Sequence, residues 1–286
     1  MEIIRITSKD LKKLSKYELH RDIDNSEAKL YLYQKRELLK LFKSTDKDYL
    51  LNKMFILNRL LTIKETINIP ELVLPNELAK ISGNGAGYTM DFIKENTNLG
   101  LLLKNPNVSL EDKLYFINEI GRILHKIMLD KFLKKEGFHL GDIHEGNFIY
   151  DNSNNLIKVV DIDSSYIPGM EAPNSKFLTL NDKLLTFTDK YPIDKNDKHI
   201  PNDNTTIISF VYILLNFLTE EYSPDMNKTN FCNTLTMLSQ AGFNKELLDS
   251  IFNIYKTTNN YFDFELLETI NPKLILKYRE IKNVKK

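Results

Sequence analysis

Residues 139–163 read HLGDIHEGNFIYDNSNNLIKVVDID, and this stretch decides how the chain folds. Phe148-Ile149-Tyr150 and Leu156-Ile157-Lys158-Val159-Val160 are short apolar runs. Between them, Asp151-Asn152-Ser153-Asn154-Asn155 is a cluster of turn-forming residues, so the stretch predicts a β-hairpin. The hairpin brings Asn147 and Asp161, which flank it, to neighbouring strand ends. Asp142 precedes Asn147 on a tight loop, where a carboxylate can accept a hydroxyl proton. The amide oxygen of Asn147 and the carboxylate of Asp161 are hard ligands, and magnesium needs few of these because it keeps waters and phosphates as its other partners. A solvated turn accounts for any one of these residues, but not for strand, turn, strand and second aspartate together.

Composition bounds the rest. At 286 residues the chain is long enough for about two folding units. Lys plus Arg equals Asp plus Glu at 39 each, so no global field draws it to nucleic acid or to an anionic membrane. The single cysteine, Cys232, excludes an intrachain disulfide and a cysteine-built zinc site. The opening MEIIRITSKDLKKL lacks an apolar core followed by a small-residue cleavage site, and no apolar run approaches a membrane span. The expected location is cytoplasmic.

The spacing of Asp142, Asn147 and Asp161 resembles the catalytic core of the protein-kinase-like superfamily, H-R-D-x-x-x-x-N followed by D-F-G. The resemblance implies an α+β, bilobal fold. Residues 1–94 would form a small antiparallel β-sheet lobe with one main helix and the nucleotide-binding strands. Residues 95–286 would form a mainly α-helical lobe with the catalytic loop and metal site. It implies ATP and Mg²⁺ as cofactors, Asp142 as the catalytic residue, and Asn147 and Asp161 as metal ligands that also hold the nucleotide.

The first lobe offers an independent check. Ala28 to Tyr33 and Glu37 to Lys43 read as strands joined by Gln34-Lys35-Arg36. In the second, Leu38, Lys40 and Phe42 share a face. A lysine so flanked suits phosphate binding; the plain alternative is an edge lysine that discourages aggregation. Leu78 to Ser82 and Tyr88 to Lys94, around Gly83-Asn84-Gly85-Ala86-Gly87, read as another hairpin. By resemblance Met90 would back the adenine, and Asp91, Phe92 and Ile93 would offer backbone groups to its edge; as plain packing, Met90 fills core.

Several positions depart from the family. Lys47 to Leu61 carries a broad apolar stripe at helical spacing, but Asn52 and Lys53 stand where the family's helix has a glutamate for the strand lysine. Asp48 or Glu65, from the helix ends, would be the substitute partner of Lys40. The covering loop, Arg21 to Glu27, has no glycine to let backbone amides approach phosphates. Asp163 replaces the glycine of D-F-G, as a further metal ligand or as a turn cap. Gly141 and His144 replace the arginine and lysine of regulated protein kinases, and GDIHEGN is similar to the HGDLHPGN of small-molecule kinases. His139 and His144, lacking a cysteine partner, suit structural or substrate-facing roles better than zinc.

Downstream, Ser109 opens a capping box, and Leu110, Leu114, Ile117, Ile120, Leu124 and Ile127 follow at helical intervals, a helix expected to run directly into the catalytic loop. Asp203 opens DNTTIISFVYILLNFLTE, a strongly apolar helix; it is read as an N-cap and, by resemblance, as the residue holding the loop's backbone. Lys245 to Tyr255 and Phe264 to Ile270 read as amphipathic helices. The connection from Ile93 to Ser109 is short and the segment from Asp161 to Asp203 is long, which favours a serine/threonine kinase acting on a protein substrate. A kinase with a small-molecule hydroxyl acceptor and a pseudokinase binding module are the alternatives.

Overall fold

The structure, a computed structural model, describes residues 3–19, 27–81, 85–173, 200–223, 226–254 and 261–284. The covering loop up to Ser26, the Ser82-Gly83-Asn84 turn, most of the segment before Asp203, and Tyr255 lie outside these residues. Short runs of aliphatic and aromatic residues form β1 (Ile3–Ile6), β2 (Ala28–Tyr33), β3 (Glu37–Phe42), β4 (Pro75–Ile81) and β5 (Ala86–Asp91), joined in the order β1-β4-β5-β3-β2. Strands β2 to β5 pair antiparallel, as their hairpin links require, with Gln34 and Lys35 at positive φ in the β2–β3 turn.

The sheet is mixed, which corrects the expectation of an antiparallel one. β1 pairs in parallel with β4, Ile3 facing Leu78 and Ile6 facing Ile81. Two helices separate them in the chain, α1 (Ser8–Leu14) and α2 (Lys47–Ile63), and a parallel neighbour needs just such a crossover. Thr7 caps α1, its side chain accepting from Asp10 N–H at 3.2 Å while the Asp10 carboxylate accepts from Thr7 N–H at 3.0 Å. Asp46 caps α2 through Tyr49 N–H at 2.8 Å.

The period-2 alternation of the strands sorts the sheet into two apolar faces. Phe42, Leu78, Tyr88 and Met90 pack on Leu50 and Leu57 of α2, whereas Tyr31, Leu39, Leu41 and Ala79 pack with Ile6 beneath α1. Lys40 shares the α2 side with Leu38 and Phe42 and is itself buried.

A second sheet is antiparallel: β6 (Asn96–Asn98), β7 (Phe148–Asp151) and β8 (Leu156–Val159), with Phe148 facing Val159 and Asp151 facing Leu156. This is the expected hairpin. The Asp151 carboxylate accepts from Ser153 N–H at 3.1 Å and Asn154 N–H at 3.3 Å, and Asn155 takes the left-handed turn.

The remaining mass is helical: α3 (Leu99–Lys104), α4 (Leu110–Leu129), α5 (Lys131–Glu136), α6 (Asp203–Thr219), α7 (Lys228–Ala241), α8 (Lys245–Ile254) and α9 (Pro272–Val284). Ser109 caps α4, accepting from Asp112 N–H at 3.0 Å, but its hydroxyl rather than its backbone N–H meets the Asp112 carboxylate, at 2.7 Å, so the expected capping box is only half formed. α4 does not run directly into the following loop, because Asp130 ends it and caps α5, accepting from Phe132 and Leu133 N–H at 2.9 Å. Residues Phe264–Thr269 form a 3₁₀ segment rather than an amphipathic α-helix.

The largest apolar cluster centres on α4 and α6, and α6 is buried almost all round, as its unbroken hydrophobic run requires. Ile56 and Leu60 of α2 belong to this cluster, while Leu50 and Leu57 belong to that of the sheet. Burying each such side chain contributes about 1.5–3 kcal/mol, so α2 is held from both sides. Among the described residues no helix is long and apolar enough to cross a membrane.

Candidate functional site

Between the five-stranded sheet and the β7–β8 hairpin lies a cleft of about 720 Å³, within the size range of small-ligand sites. Lys40, Met90, Asp91, Ile93, Asp142, Asn147, Asp161 and Asp163 all line it. They come from three stretches of sequence, around Lys40, at 90–93 and within 139–163, which the fold brings together.

The loop carrying Asp142 is tied down by its own polar groups. Asn147 Nδ2 donates to the Asp142 carbonyl at 2.8 Å, which orients the amide and leaves its oxygen as the acceptor arm. Asn98 Nδ2 donates to the Gly146 carbonyl at 2.7 Å, and Val160 N–H to the Asn147 carbonyl at 2.9 Å, joining loop to hairpin. His139 exchanges backbone hydrogen bonds with Tyr166 at 3.0 and 2.8 Å. Its Nδ1 lies 3.5 Å from Asp203 Oδ1, so Asp203 meets this loop through the His139 side chain, and Asn202 is the cap of α6. Burial lowers the His139 pKa, with Asp203 opposing the shift.

Asp161 takes a left-handed backbone, φ 64° and ψ 33°, a conformation aspartate tolerates better than most residues. Strain of this kind, costing about 1–3 kcal/mol, clusters at functional sites. Lys40 Nζ donates to Asp161 Oδ1 and, at 2.6 Å, to Asp163 Oδ1. The edge-lysine alternative is thereby removed.

Asp163 is 1% exposed and receives three donors. Besides Lys40, Tyr88 Oη donates to its Oδ1 at 2.7 Å and Lys53 Nζ to its Oδ2 at 3.1 Å. Burial alone would raise its pKa, but Lys40 and Lys53 outweigh that and hold the carboxyl well below the ordinary range. Both lysines are held charged against the opposing effect of burial, chiefly by Asp163. Asp163 therefore serves as counter-ion to two lysines. Lys53 also reaches Ser164 Oγ at 3.2 Å and Glu27 Oε2 at 3.2 Å. The carboxylates on Lys40 come from the segment after β8, not from Asp48 or Glu65 at the ends of α2.

Lys53, Tyr88 and Glu27 were not among the residues expected in the site. The signal lay in two departures of opposite sign: a lysine where a helix glutamate was expected, and an aspartate where a glycine was. Each explains the other.

Gly141 is required by close packing. A Cβ there would lie 2.0 Å from Pro173 Cγ and 2.3 Å from the Ser164 carbonyl oxygen, so no side chain fits, least of all an arginine. Along the β5 edge, Met90 is buried, Asp91 Oδ1 accepts from Asn76 Nδ2 at 2.9 Å, and Phe92 N–H donates to the Arg36 carbonyl at 2.8 Å. The Ile93 carbonyl accepts from Asn96 Nδ2. Of the backbone groups expected to meet a ligand edge, these two are already engaged.

Among the described residues, no group of three or more His, Cys, Asp or Glu side chains is arranged to hold a metal by itself. The oxygens of Asp161 and Asn147 fit a hard cation that keeps waters and ligand phosphates in its sphere, which is the behaviour of magnesium. No family model matches the chain, and no curated protein matches it.

Proposed function

We propose that this protein is an ATP- and magnesium-dependent phosphotransferase of the protein-kinase-like type, transferring the γ-phosphoryl group to a serine or threonine hydroxyl of a protein. The observation that carries the reading is the Lys40–Asp161 ion pair, which joins residues 121 positions apart across a cleft that Asp142 and Asn147 also line. The sheet with α2 on one side of that cleft, and the helical cluster on the other, supports a bilobal arrangement with lobes at 1–94 and 95–286. Cytoplasmic residence, where ATP is abundant, belongs to the same reading.

In this mechanism Lys40, whose charge is secured by the buried Asp163 and by Asp161, binds the nucleotide's phosphates. Asp161 and Asn147 would hold the cation, which would supply neutralising charge to the phosphate oxygens. Asp142, fixed by its loop, orients the acceptor hydroxyl and takes its proton as the oxygen attacks phosphorus in line and the bond to the leaving ADP oxygen breaks. Met90, Val73, Ile149 and Val160 supply apolar surface for a base. The residues' contribution is then positioning and charge compensation.

A free small-molecule hydroxyl is the second acceptor class. Gly141 favours it, because the walled-in position leaves no room for the arginine that anchors a phosphorylated activation segment. The test is Mg²⁺-dependent transfer of labelled γ-phosphate to the protein itself, to a generic protein and to amino alcohols and aminoglycosides, with Asp142→Ala alongside. Label on protein that vanishes with the variant supports the first acceptor, and label on small molecules the second. Nucleotide binding with no transfer to any acceptor would leave a pseudokinase binding module.

A further inference from the structure

Lys53 is a buried lysine on a helix that the proposed mechanism does not use. It is 8% exposed, yet it lines the same cleft as Lys40, Asp142 and Asp161. A buried ammonium is costly unless it is paired, and its two carboxylate partners differ in kind. Asp163 is fully buried, with a side chain 0% exposed, and holds Lys53 from inside the fold. Glu27 has a side chain 49% exposed and meets Lys53 from the mouth of the cleft at 3.2 Å. Tyr49 Oη donates to the same Glu27 oxygen at 2.9 Å. One anion is thus enclosed by the fold and the other is half exposed to solvent.

Lys40 and Lys53 grip opposite oxygens of the one Asp163 carboxylate, so their ammonium groups are neighbours. We propose that Lys53 is a second polyphosphate-binding residue, held by Asp163 beside Lys40 and covered by Glu27 until the phosphates of a bound nucleotide replace that carboxylate. The proposal rests on the phosphotransferase reading and deepens it: the helix that would carry an anion instead delivers a cation to the phosphates.

The charges give this site an order of assembly. Two ammonium groups face three carboxylates, Asp161, Asp163 and Glu27. As folded, the cluster therefore repels a bare polyphosphate. With a divalent cation held by Asp161 and Asn147 the balance turns positive, and displacement of Glu27 by phosphate oxygens exchanges one anionic partner of Lys53 for another.

The test is equilibrium binding by titration calorimetry on the whole chain, with MgATP, ATP plus chelator, and adenosine. The parent is expected to bind MgATP and adenosine, and to bind ATP poorly once chelator is added. Lys53→Met should weaken MgATP binding about 10–100-fold, the loss of one charge-assisted contact, and leave adenosine unchanged. Glu27→Gln removes the competing carboxylate without touching Asp163 and should tighten MgATP binding about 2- to 5-fold. MgATP affinity unchanged in Lys53→Met, or lost together with that for adenosine, overturns the proposal while the nucleotide reading stands. Should Lys53→Met not fold, Glu27→Gln decides: tighter binding supports, and equal or weaker binding overturns. A parent that binds neither MgATP nor adenosine removes the phosphotransferase reading itself.

Discussion

His144 Nε2 lies 3.5 Å from Asp142 Oδ2, while the other ring nitrogen, Nδ1, accepts the Gly146 N–H at 3.0 Å. A neutral imidazole has one N–H, so the backbone bond to Nδ1 places that proton on Nε2, facing the carboxylate. His144 is in this way a positioning residue for Asp142. Under the proposed function, His144→Ala should lower kcat about tenfold with little change in KM for nucleotide, because it loosens the base and not the nucleotide's contacts. Steady-state kinetics checks this; equal kcat in the two proteins would mean the Asp142 loop keeps its carboxylate in place unaided.

Asp163→Asn keeps the shape of the side chain and removes the charge between two buried lysines. Lys40 would retain Asp161 and Lys53 would retain Glu27, but both of these carboxylates are partly exposed. Removing one partner from a buried ion network costs about 3–5 kcal/mol. Denaturant unfolding should show the midpoint falling by that measure, and more than in Lys40→Met, where Asp163 still has Lys53 and Tyr88. Should the two variants prove equally stable, Asp163 would not be the centre of the network.

The pH dependence of stability has a legible sign. His139 has a folded pKa below its ordinary 6.5, lowered by burial, so on acidification the unfolded chain takes up a proton before the folded one does. Stability is therefore full above that value and falls as pH drops through it. Asp163, with its pKa depressed, adds a second loss only at pH below the ordinary carboxylate range. Melting temperatures from about pH 5 to pH 8 should slope upward and level off, and His139→Gln should flatten the slope. A slope unchanged by that substitution would assign the titration to other groups.

What the sequence disclosed about this fold was what short-range chemistry dictates. The β7–β8 hairpin follows from its own turn, and the inward face of Lys40 follows from strand alternation between Leu38 and Phe42. β1 was not legible: Ile3-Ile4-Arg5-Ile6 is brief, and its partner Leu78–Ile81 lies beyond two helices, so nothing local marks the pairing. The same holds for the site. Asp142, Asn147 and Asp161 sit within one stretch and could be read together, whereas Lys53 and Asp163 are 110 residues apart and show their relation only through complementary departures in charge. Phe264–Thr269 has the apolar residues of an amphipathic helix but is only six residues long, too short to favour the α form over 3₁₀.

Gly141 and Gly169 make a contrasting pair. At Gly141 an added Cβ meets Pro173 Cγ at 2.0 Å and the Ser164 carbonyl at 2.3 Å; at Gly169 it meets nothing within 4 Å, but the backbone is at φ +94°. Gly169→Ala should therefore cost only the backbone strain, about 1–2 kcal/mol, and leave the cleft as it is. Gly141→Ala must push the Asp142 loop away from the segment that carries Asp163 and Ser164, because a carbonyl oxygen cannot swing aside as a flexible side chain does. Overpacking of this kind costs about 1–3 kcal/mol in stability, and a displacement of about 1 Å at a reacting group costs on the order of a hundredfold in rate. Unfolding midpoints should thus separate the two variants little, while phosphoryl transfer should separate them greatly. Equal transfer rates would mean that residues 164–173 move clear of the loop, and that the close packing on Gly141 is no condition for placing Asp142.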